Sequence, residues 1–461
     1  MFKINFNEPI HIHFIGIGGI SMSGLAEILL KENFTVSGSD RSSSTMTDHL
    51  IQCGAKVTIG QRAENITNDI DLVVYTAAIH PDNEEFQAVV EKKIPMMTRA
   101  CLLGQMMKNY KTPIAVSGTH GKTTTTSMIS EVLMKAELDP TISVGGILDS
   151  IGGNIRVGNS PVFITEACEY TNSFLEFFPT ISVILNVEED HMDFFHNIEE
   201  IRTSFHEFAK KLPDNGLLVV NGDMEGLGDI TNNLPCRIKT FGLEKPCNYT
   251  ASNIQYNLLG NGSYDLVIDG TPSFHVELSV PGAHNILNSL SAIAVALELK
   301  IPSDKIQAGL LAFGGTKRRF EYKGKVNDIT IIDDYAHHPT EIKATLTSAK
   351  NYPHHELWCV FQPHTYTRTK AFLHDFADAL SYADHILLLD IYAAREKNTG
   401  EVSSNDILRI LKEEYHADVY YESDFTKAEQ FLLSHCQKED LLITMGAGNV
   451  VEIGENILKN N

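Results

Sequence analysis

The 461-residue sequence predicts an α/β protein of three domains. Three observations point there. The chain is longer than one hydrophobic core ordinarily serves, and its length corresponds to roughly three domains. Short apolar runs that stop at glycine or polar residues alternate with stretches of helical periodicity from one end to the other. Two glycine turns, at 16–19 and 118–121, each follow such a run and open such a stretch.

The opening reads strand, turn, helix, strand: an apolar run at 10–15, the turn 16–19, a helical stretch at 20–31, then 34–37 closing on Asp40. A strand at 72–76, a helix at 84–91 and a helix at 100–107 after Pro95 extend this unit, and 108–113 reads as a polar linker. A second unit starts with a strand at 114–117, the turn 118–121 and a helix with Met128, Val132 and Leu133 on one side. It continues through strands at 162–165 and 181–186, a region of turn signals between 260 and 282, and a helix at 287–299, and closes at Gly314-Gly315. The remainder repeats the alternation, with strands at 329–332, 358–361, 386–389 and 441–445. The domains expected are therefore 1–110, 111–315 and 316–461.

Composition narrows the function. Hydrophobic residues make up 43% and charged residues 21%, the profile of a soluble protein without a disordered tail or membrane segment. The first residues lack the basic start and cleavage site of a secretory signal, so a cytoplasmic location is expected. Seven scattered cysteines without a CxxC pair indicate neither a disulfide framework nor structural zinc, and most are expected to be buried thiols. A net charge of -22 opposes nucleic-acid binding, which draws on Lys and Arg contacts to phosphates. Any phosphorylated ligand then needs local compensation from backbone N–H groups, cationic side chains or Mg2+.

The segment SGTHGKTTT supplies such compensation. Gly118 and Gly121 let the N–H groups of the loop, through Thr119, His120 and Thr124, curl around an anion, Lys122 reaches terminal phosphates, and Thr123 offers a hydroxyl to Mg2+. The strict pattern of such loops is broken at Val116, where a first glycine belongs. A bare strand-to-helix turn would need no lysine followed by threonines. GIGGISMSG resembles a dinucleotide fingerprint through Gly16, Gly18 and Gly19, with Asp40 about 20 residues beyond the turn, but Ser21 holds the place of the third glycine. Two acidic clusters, 165–169 and 186–191, follow strands, so Glu166 and His191 can converge on the phosphate loop as ligands of Mg2+. Lys317, Arg318 and Arg319 alone read as a solvated charge run.

Together these motifs resemble the Mur ligases of peptidoglycan synthesis. HFIGIGGISMSGLA, VSGSD, GTHGKTT, EDHMD, PGAHNILN, GTKRRFE, DDYAHHPTE, FQPHTYTRT and MGAGN stand in that family's order and at its spacing, across nearly the whole chain. The resemblance implies a Rossmann-like N-terminal domain for a UDP-sugar, a central P-loop-type ATPase domain and a Rossmann-like C-terminal domain for the incoming amino acid. It moves the first glycine turn from a nicotinamide cofactor to the UDP moiety, with Asp40, Thr76 and Arg99 as further contacts. It assigns Lys122 and Thr123 to ATP phosphates and Mg2+, Glu166 and His191 to metal, Asn285 and Asn288 to adenine, and Arg319 and Asp334 to ATP from the third domain.

The implied reaction is the L-alanine-adding step of the family. The lactyl carboxylate of UDP-N-acetylmuramate attacks the γ-phosphate of ATP, and the amine of L-alanine then displaces phosphate from the acyl phosphate. His337 or His338 is expected near the amine, Tyr335 beside the pocket and Arg368 on the amino-acid carboxylate. Three positions depart from many relatives: Cys168 replaces Asp, Thr365 replaces a second clamping Arg, and His206 stands where sister ligases carry a carbamylated lysine. A monomer or homodimer is expected. The competing readings are a recycling ligase that adds a whole peptide, from which FQPHTYTRT differs, a nicotinamide-dependent oxidoreductase, and a non-catalytic nucleotide-binding regulator. The oxidoreductase leaves Lys122, the acidic clusters and HNILN unexplained, and the regulator would need Glu166, His191 or Arg319 to be missing, whereas all are present.

Overall fold

The computed structural model describes residues 2–76, 79–192, 194–394, 396–398 and 400–460. Among these residues the chain is mixed α/β, with three sheet-containing regions. It falls into two compact units, Met1–Val187 with Arg202–Lys239, and Glu188–Ile201 with Thr240–Asn461. No helix among the described residues is long and apolar enough to cross a membrane.

The first sheet holds β1 (His11–Ile15), β2 (Thr35–Asp40), β3 (Lys56–Ile59), β4 (Leu72–Tyr75) and β5 (Met96–Thr98), in the order β3-β2-β1-β4-β5. Its pairs are parallel. Ile12, Phe14 and Ile15 of β1 are fully buried, as expected of a central strand covered by helices on both faces. Because β1 lies between β2 and β4, the loops leaving β1 and β4 diverge and open a crevice at the carboxyl ends of the strands, where Gly16–Gly19 and Thr76 lie.

The same unit carries β6 (Thr112–Ser117), β7 (Thr141–Leu148), β8 (Gly153–Arg156), β9 (Val162–Glu166), β10 (Ile181–Ile184) and β11 (Leu217–Asn221). Their order is β11-β10-β6-β9-β7-β8, parallel except for the β7–β8 hairpin. β6 begins two residues before the expected strand, inside the segment read as a linker, because Pro113 to Ser117 are buried between β9 and β10. Again the strand that leads into a glycine turn has neighbours on both sides, so the second turn also sits over a crevice.

After β12 (Arg237–Phe241), the turn signals between 260 and 282 prove to join an antiparallel meander: β13 (Tyr249–Tyr256), β14 (Asn261–Ile268) and β15 (Thr271–Pro281). Alternating burial along β14 marks one face packed and one wet. The packed face meets the helix Ala283–Glu298, where Tyr264 is fully buried and its hydroxyl lies 2.6 Å from Ser289 Oγ.

The last sheet comprises β16 (Glu321–Val326), β17 (Ile329–Asp334), β18 (Leu357–Phe361), β19 (His385–Leu388), β20 (Asp418–Tyr421) and β21 (Leu441–Met445), ordered β16-β17-β21-β18-β19-β20. Only β16 runs antiparallel to its neighbour. Two apolar clusters cover its faces. Ile342, Phe376 and Ile407 belong to one, and Leu432, Ile453 and Ile457 to the other.

Candidate active site

The helix Lys122–Lys135 starts without a side-chain cap. Gly121 occupies the cap position at φ 82°, so no side chain takes up the first N–H groups of the helix. Three other helices of this unit are capped, by Ser44, Asn83 and Thr98. An open helix start after a glycine turn is what an anion requires. The loop is held from below by Asn186, whose Oδ1 accepts the His120 N–H at 2.7 Å and whose Nδ2 donates to the His120 carbonyl at 3.1 Å. Gly118, at φ 142°, leaves a notional Cβ only 2.9 Å from Leu185, so a side chain there would collide with the end of β10.

Lys122 folds back onto this loop. Its Nζ donates to the Gly118 carbonyl, to the Thr119 carbonyl at 3.1 Å and to the Glu169 carboxylate at 3.0 Å. Burial works against its charge, but Glu169, with Cys168 and Glu166 behind it, more than reverses that and holds the ammonium above the ordinary lysine range. Glu166, at the end of β9, accepts the Gly145 N–H at 2.5 Å. A Cβ on Gly145 would come within 2.8 Å of the Glu166 carboxylate, and one on Gly146 within 3.1 Å of the Thr123 methyl. Thr123 and Glu166 thus both lie against the same glycine pair of β7. The oxygen donor set of a hydroxyl and a carboxylate suits a hard cation such as Mg2+.

The helix Ile20–Lys31 also opens on a glycine, Gly19, without a side-chain cap. Asp40 faces this turn: its Oδ2 accepts the Gly18 N–H at 2.8 Å and its Oδ1 accepts the Arg41 N–H at 2.7 Å. Thr76 ends the segment after β4, where its carbonyl accepts the Ile79 N–H at 3.0 Å. Arg99 lies within electrostatic reach of Glu166. Burial lowers its pKa while Cys168 and Glu166 oppose that, so its electrostatic partners belong to the acidic cluster of the phosphate loop. Burial, then Glu169, raises the Cys168 thiol. His206 bonds to the Ile230 carbonyl at 2.9 Å, a structural contact. Of the seven cysteines, Cys101, Cys236 and Cys359 are buried, Cys168, Cys247 and Cys436 half-buried and Cys53 exposed, so fully buried thiols are a minority.

In the second unit, His337 and His338 part company. His338 is 5% exposed and caps the helix Pro339–Ala349: Nδ1 accepts the Thr340 N–H at 3.4 Å and Nε2 lies 3.1 Å from the Glu189 carbonyl. Both its ring nitrogens are committed to backbone. His337 has Nδ1 between two acceptors, the Tyr335 carbonyl at 3.0 Å and Glu341 Oε2 at 3.3 Å, which places the ring proton on Nδ1. Among the described residues its Nε2 has no protein hydrogen-bond partner, and Tyr335 and His364 stand edge-on to the ring.

Arg368 is buried. Its Nη2 donates to Asp190 Oδ1 at 2.6 Å, Nη1 lies 3.3 Å from His364 Nδ1, and Nε has no partner among the described residues. Burial opposes the Asp190 charge, but Arg368 and His191 outweigh it and keep the carboxyl well below its ordinary range. His191 takes φ 54° and brings Nε2 to 3.7 Å from Asp190 Oδ2.

The KRR run is solvated only at Lys317, which is exposed, while Arg318 and Arg319 are half-buried. Arg318 donates to Asp333 at 2.9 Å and to the carbonyls of Gly446 and Gly448, stapling β17 to the loop after β21. Its backbone is left-handed, at φ 60°. Arg319 instead lies over the Tyr335 ring at 5.1 Å and 3.9 Å from Glu341. Asp334 accepts the Phe320 N–H at 2.9 Å and the Ala336 N–H at 2.7 Å. Burial raises its carboxyl to about 6 against the opposing pull of Arg319. Asn285 and Asn288 bond to each other at 3.1 Å in the first turns of the helix Ala283–Glu298. A pocket of about 460 Å³, lined by His284, Thr340, Lys343 and Ser348, lies beside that helix start.

Sequence reasoning missed Glu169 as the partner of Lys122, Asn186 as the floor of the loop, Glu341 behind His337 and Asp190 on Arg368. All four stand inside quoted motifs or at their edges. Their neighbours drew attention because lysine, histidine and arginine declare a chemistry by themselves, whereas a carboxylate or amide acquires its role from what it faces.

Comparison with known proteins agrees with this layout. Residues 11–111 match the Mur ligase family, catalytic domain, residues 116–296 the Mur ligase middle domain, and residues 318–448 the Mur ligase, glutamate ligase domain. A UDP-N-acetylmuramate–L-alanine ligase of Agathobacter rectalis is 58% identical over 459 residues, covering 100% of both chains. Among solved structures, the UDP-N-acetylmuramate-alanine ligase MurC of Thermotoga maritima is 29% identical with a TM-score of 0.82, covering 98% of this chain and 99% of its own. A murein peptide ligase of Psychrobacter arcticus shares the fold at 24% identity and a TM-score of 0.72, covering 98% of each chain. With all three of its domains matched and its full length shared with such a relative, the chain belongs to the Mur ligase family.

Proposed function

We propose that this chain joins the amine of L-alanine to the lactyl carboxylate of UDP-N-acetylmuramate, coupled to cleavage of ATP to ADP and phosphate. The observation that carries the reading is the full-length 58% identity to a ligase of that name. It is supported by the uncapped helix start at Gly121 with Lys122 folded over it. In this reading residues 1–110 take the UDP-sugar, 111–315 take ATP and 316–461 take the amino acid. Gly16, Gly18, Gly19, Asp40, Thr76 and Arg99 serve the UDP-sugar. Gly118 through Thr124, Asn285, Asn288, Arg319 and Asp334 serve ATP.

In the first step the lactyl carboxylate attacks the γ-phosphorus and the bond to the β-bridging oxygen breaks. Lys122 leaves the loop carbonyls for the phosphate oxygens, and the open N–H groups of the helix start hold the rest. Thr123 and Glu166 would hold Mg2+, which when bound neutralises phosphate charge. In the second step the alanine amine adds to the acyl carbon, loses a proton, and phosphate departs. His337 takes that proton at Nε2, because Glu341 and the Tyr335 carbonyl fix the ring with its own proton on Nδ1. Arg368, with Nε uncommitted, holds the amino-acid carboxylate. The reaction is placed in the cytoplasm, with the chain acting as a monomer or homodimer.

The test is phosphate release by the purified protein with ATP, Mg2+ and UDP-N-acetylmuramate, supplied with single amino acids or with a tripeptide. Release with L-alanine is expected. Release with the tripeptide alone would make the chain a recycling ligase.

A further inference from the structure

The amino-terminal ends of β18 and β21 carry a group of ligating side chains far along the strands from the residues discussed so far. His355 and Glu356 precede β18, and Asp440 precedes β21. Each offers one ligand atom, and the three atoms lie within 4.8 Å of one another. We propose that His355, Glu356 and Asp440 bind a divalent transition ion of the Zn2+, Co2+ or Ni2+ type.

Asp440 is the fixed point. It is fully buried, and its carboxylate is pinned by the Gln437 N–H at 2.7 Å, the Glu356 N–H at 3.2 Å and the Trp358 indole N–H at 3.2 Å. His355 Nδ1 stands 3.1 Å from its Oδ1. That separation is close to the roughly 3.3 Å edge of a tetrahedron with ligand bonds of about 2.0 Å, so an ion can take the place of the proton between the two atoms. Glu356 supplies the third ligand and has support behind it. His385 Nε2 lies 2.9 Å from Glu356 Oε2, and His385 Nδ1 lies 2.6 Å from Asp418 Oδ2. A ligand backed by an imidazole that is itself oriented by a carboxylate has the layered support that tunes metal sites.

The donors choose the ion. One imidazole with two carboxylates favours borderline metals over Mg2+ or Ca2+, which prefer oxygen alone. Three protein ligands leave a position open to water, as His355 and Glu356 are reachable from solvent, with side-chain exposures of 53% and 40%. A metal here ties β18 to β21 at their amino-terminal ends and displaces the shared proton, so binding weakens in acid.

The chain supplies its own reporter. Trp358 is the sole tryptophan; its indole N–H bonds Asp440, and its ring stacks on His385 at 4.2 Å. Full-length protein freed of metal with EDTA is titrated with Ni2+ or Co2+ while Trp358 emission is followed, with Zn2+ as competitor. Saturable quenching that Zn2+ reverses and millimolar Mg2+ does not is expected. His355→Ala abolishes it, and Asp418→Asn weakens it roughly tenfold to a hundredfold. His435→Ala, at a ring that neighbours Trp358 without belonging to the ligand set, leaves it unchanged. Circular dichroism and unchanged ligation establish that each variant is folded. Absence of saturable quenching in the native chain, an unaltered curve for His355→Ala, or loss of quenching in His435→Ala overturns the proposal.

Discussion

Lys122 and Glu169 show how a charged pair prepares a phosphate site. The ammonium is largely desolvated, and the adjacent carboxylate, with Cys168 and Glu166 behind it, keeps it charged and aimed along the loop. Glu169→Gln keeps the shape and removes the charge. A charge-assisted hydrogen bond of about 1.5–3 kcal/mol is weakened, so kcat falls about tenfold or more while KM for UDP-N-acetylmuramate stays near its native value. The histidines separate in the same way. His337→Ala lowers kcat by roughly 10²- to 10⁴-fold without changing the thermal midpoint much. His338→Ala removes a helix cap and a bond to the Glu189 carbonyl, so the thermal midpoint falls instead. Steady-state kinetics beside thermal unfolding distinguish the two.

Asp334 and Asp190 give opposite responses to pH. Asp334 has its carboxyl raised to about 6, so the folded state holds its proton more tightly than the unfolded chain. Its contribution is fully present below the unfolded value near 3.8 and is lost as pH rises through about 6, a change of about 3 kcal/mol. Asp190 is depressed by Arg368, so its contribution is present above the unfolded value and is lost as the solution is acidified below it. The windows adjoin without overlapping. Thermal midpoints between pH 4 and 7 are expected to decline through Asp334, and Asp334→Asn removes that share of the slope. An identical slope in the variant would show that the titration lies elsewhere.

At the scale of elements, two helix seams inside the first unit depend on absent side chains. A Cβ at Gly104, in the helix Arg99–Met107, would fall 1.9 Å from the Glu176 carbonyl oxygen, and one at Gly24, in the helix Ile20–Lys31, 2.0 Å from Ile155. Alanine normally stabilises a helix over glycine by about 1 kcal/mol. At Gly104 the overlap with backbone overrides this, and Gly104→Ala is expected to destabilise by about 1–3 kcal/mol, read from denaturant unfolding. Gly24→Ala meets the movable end of a side chain and costs less. The glycine caps at Gly19 and Gly121 have another purpose, since they leave helix N–H groups unclaimed where Ser44, Asn83 and Thr98 claim them elsewhere.

For the whole molecule, nucleotide binding should appear as stability. A ligand at a hundred times its Kd raises unfolding free energy by about 2.7 kcal/mol when only the folded chain binds it. ATP with Mg2+ is expected to raise the thermal midpoint of the native chain, and Lys122→Ala is expected to reduce that rise. An equal rise in both would remove Lys122 from phosphate binding.

The sequence alone was enough for the class of fold, since strands buried on both faces read as plain apolar runs and the helix after each glycine turn keeps its period. It was enough as well for the phosphate loop and the order of family motifs, because these are local patterns of contiguous residues. The meander at 249–281 was read only as turns: β13 is largely exposed and carries weak alternation, although Phe274, Val276, Leu278 and Val280 of β15 do alternate with polar residues. Tertiary structure decided the partners. That Arg318 bonds Asp333 while Arg319 faces Tyr335, that His338 is a cap while His337 keeps a nitrogen uncommitted, and that Arg99 has Glu166 as an electrostatic partner all depend on folding. A side chain's chemistry is written in its own letter, but its protonation, orientation and access are set by neighbours that only folding brings near.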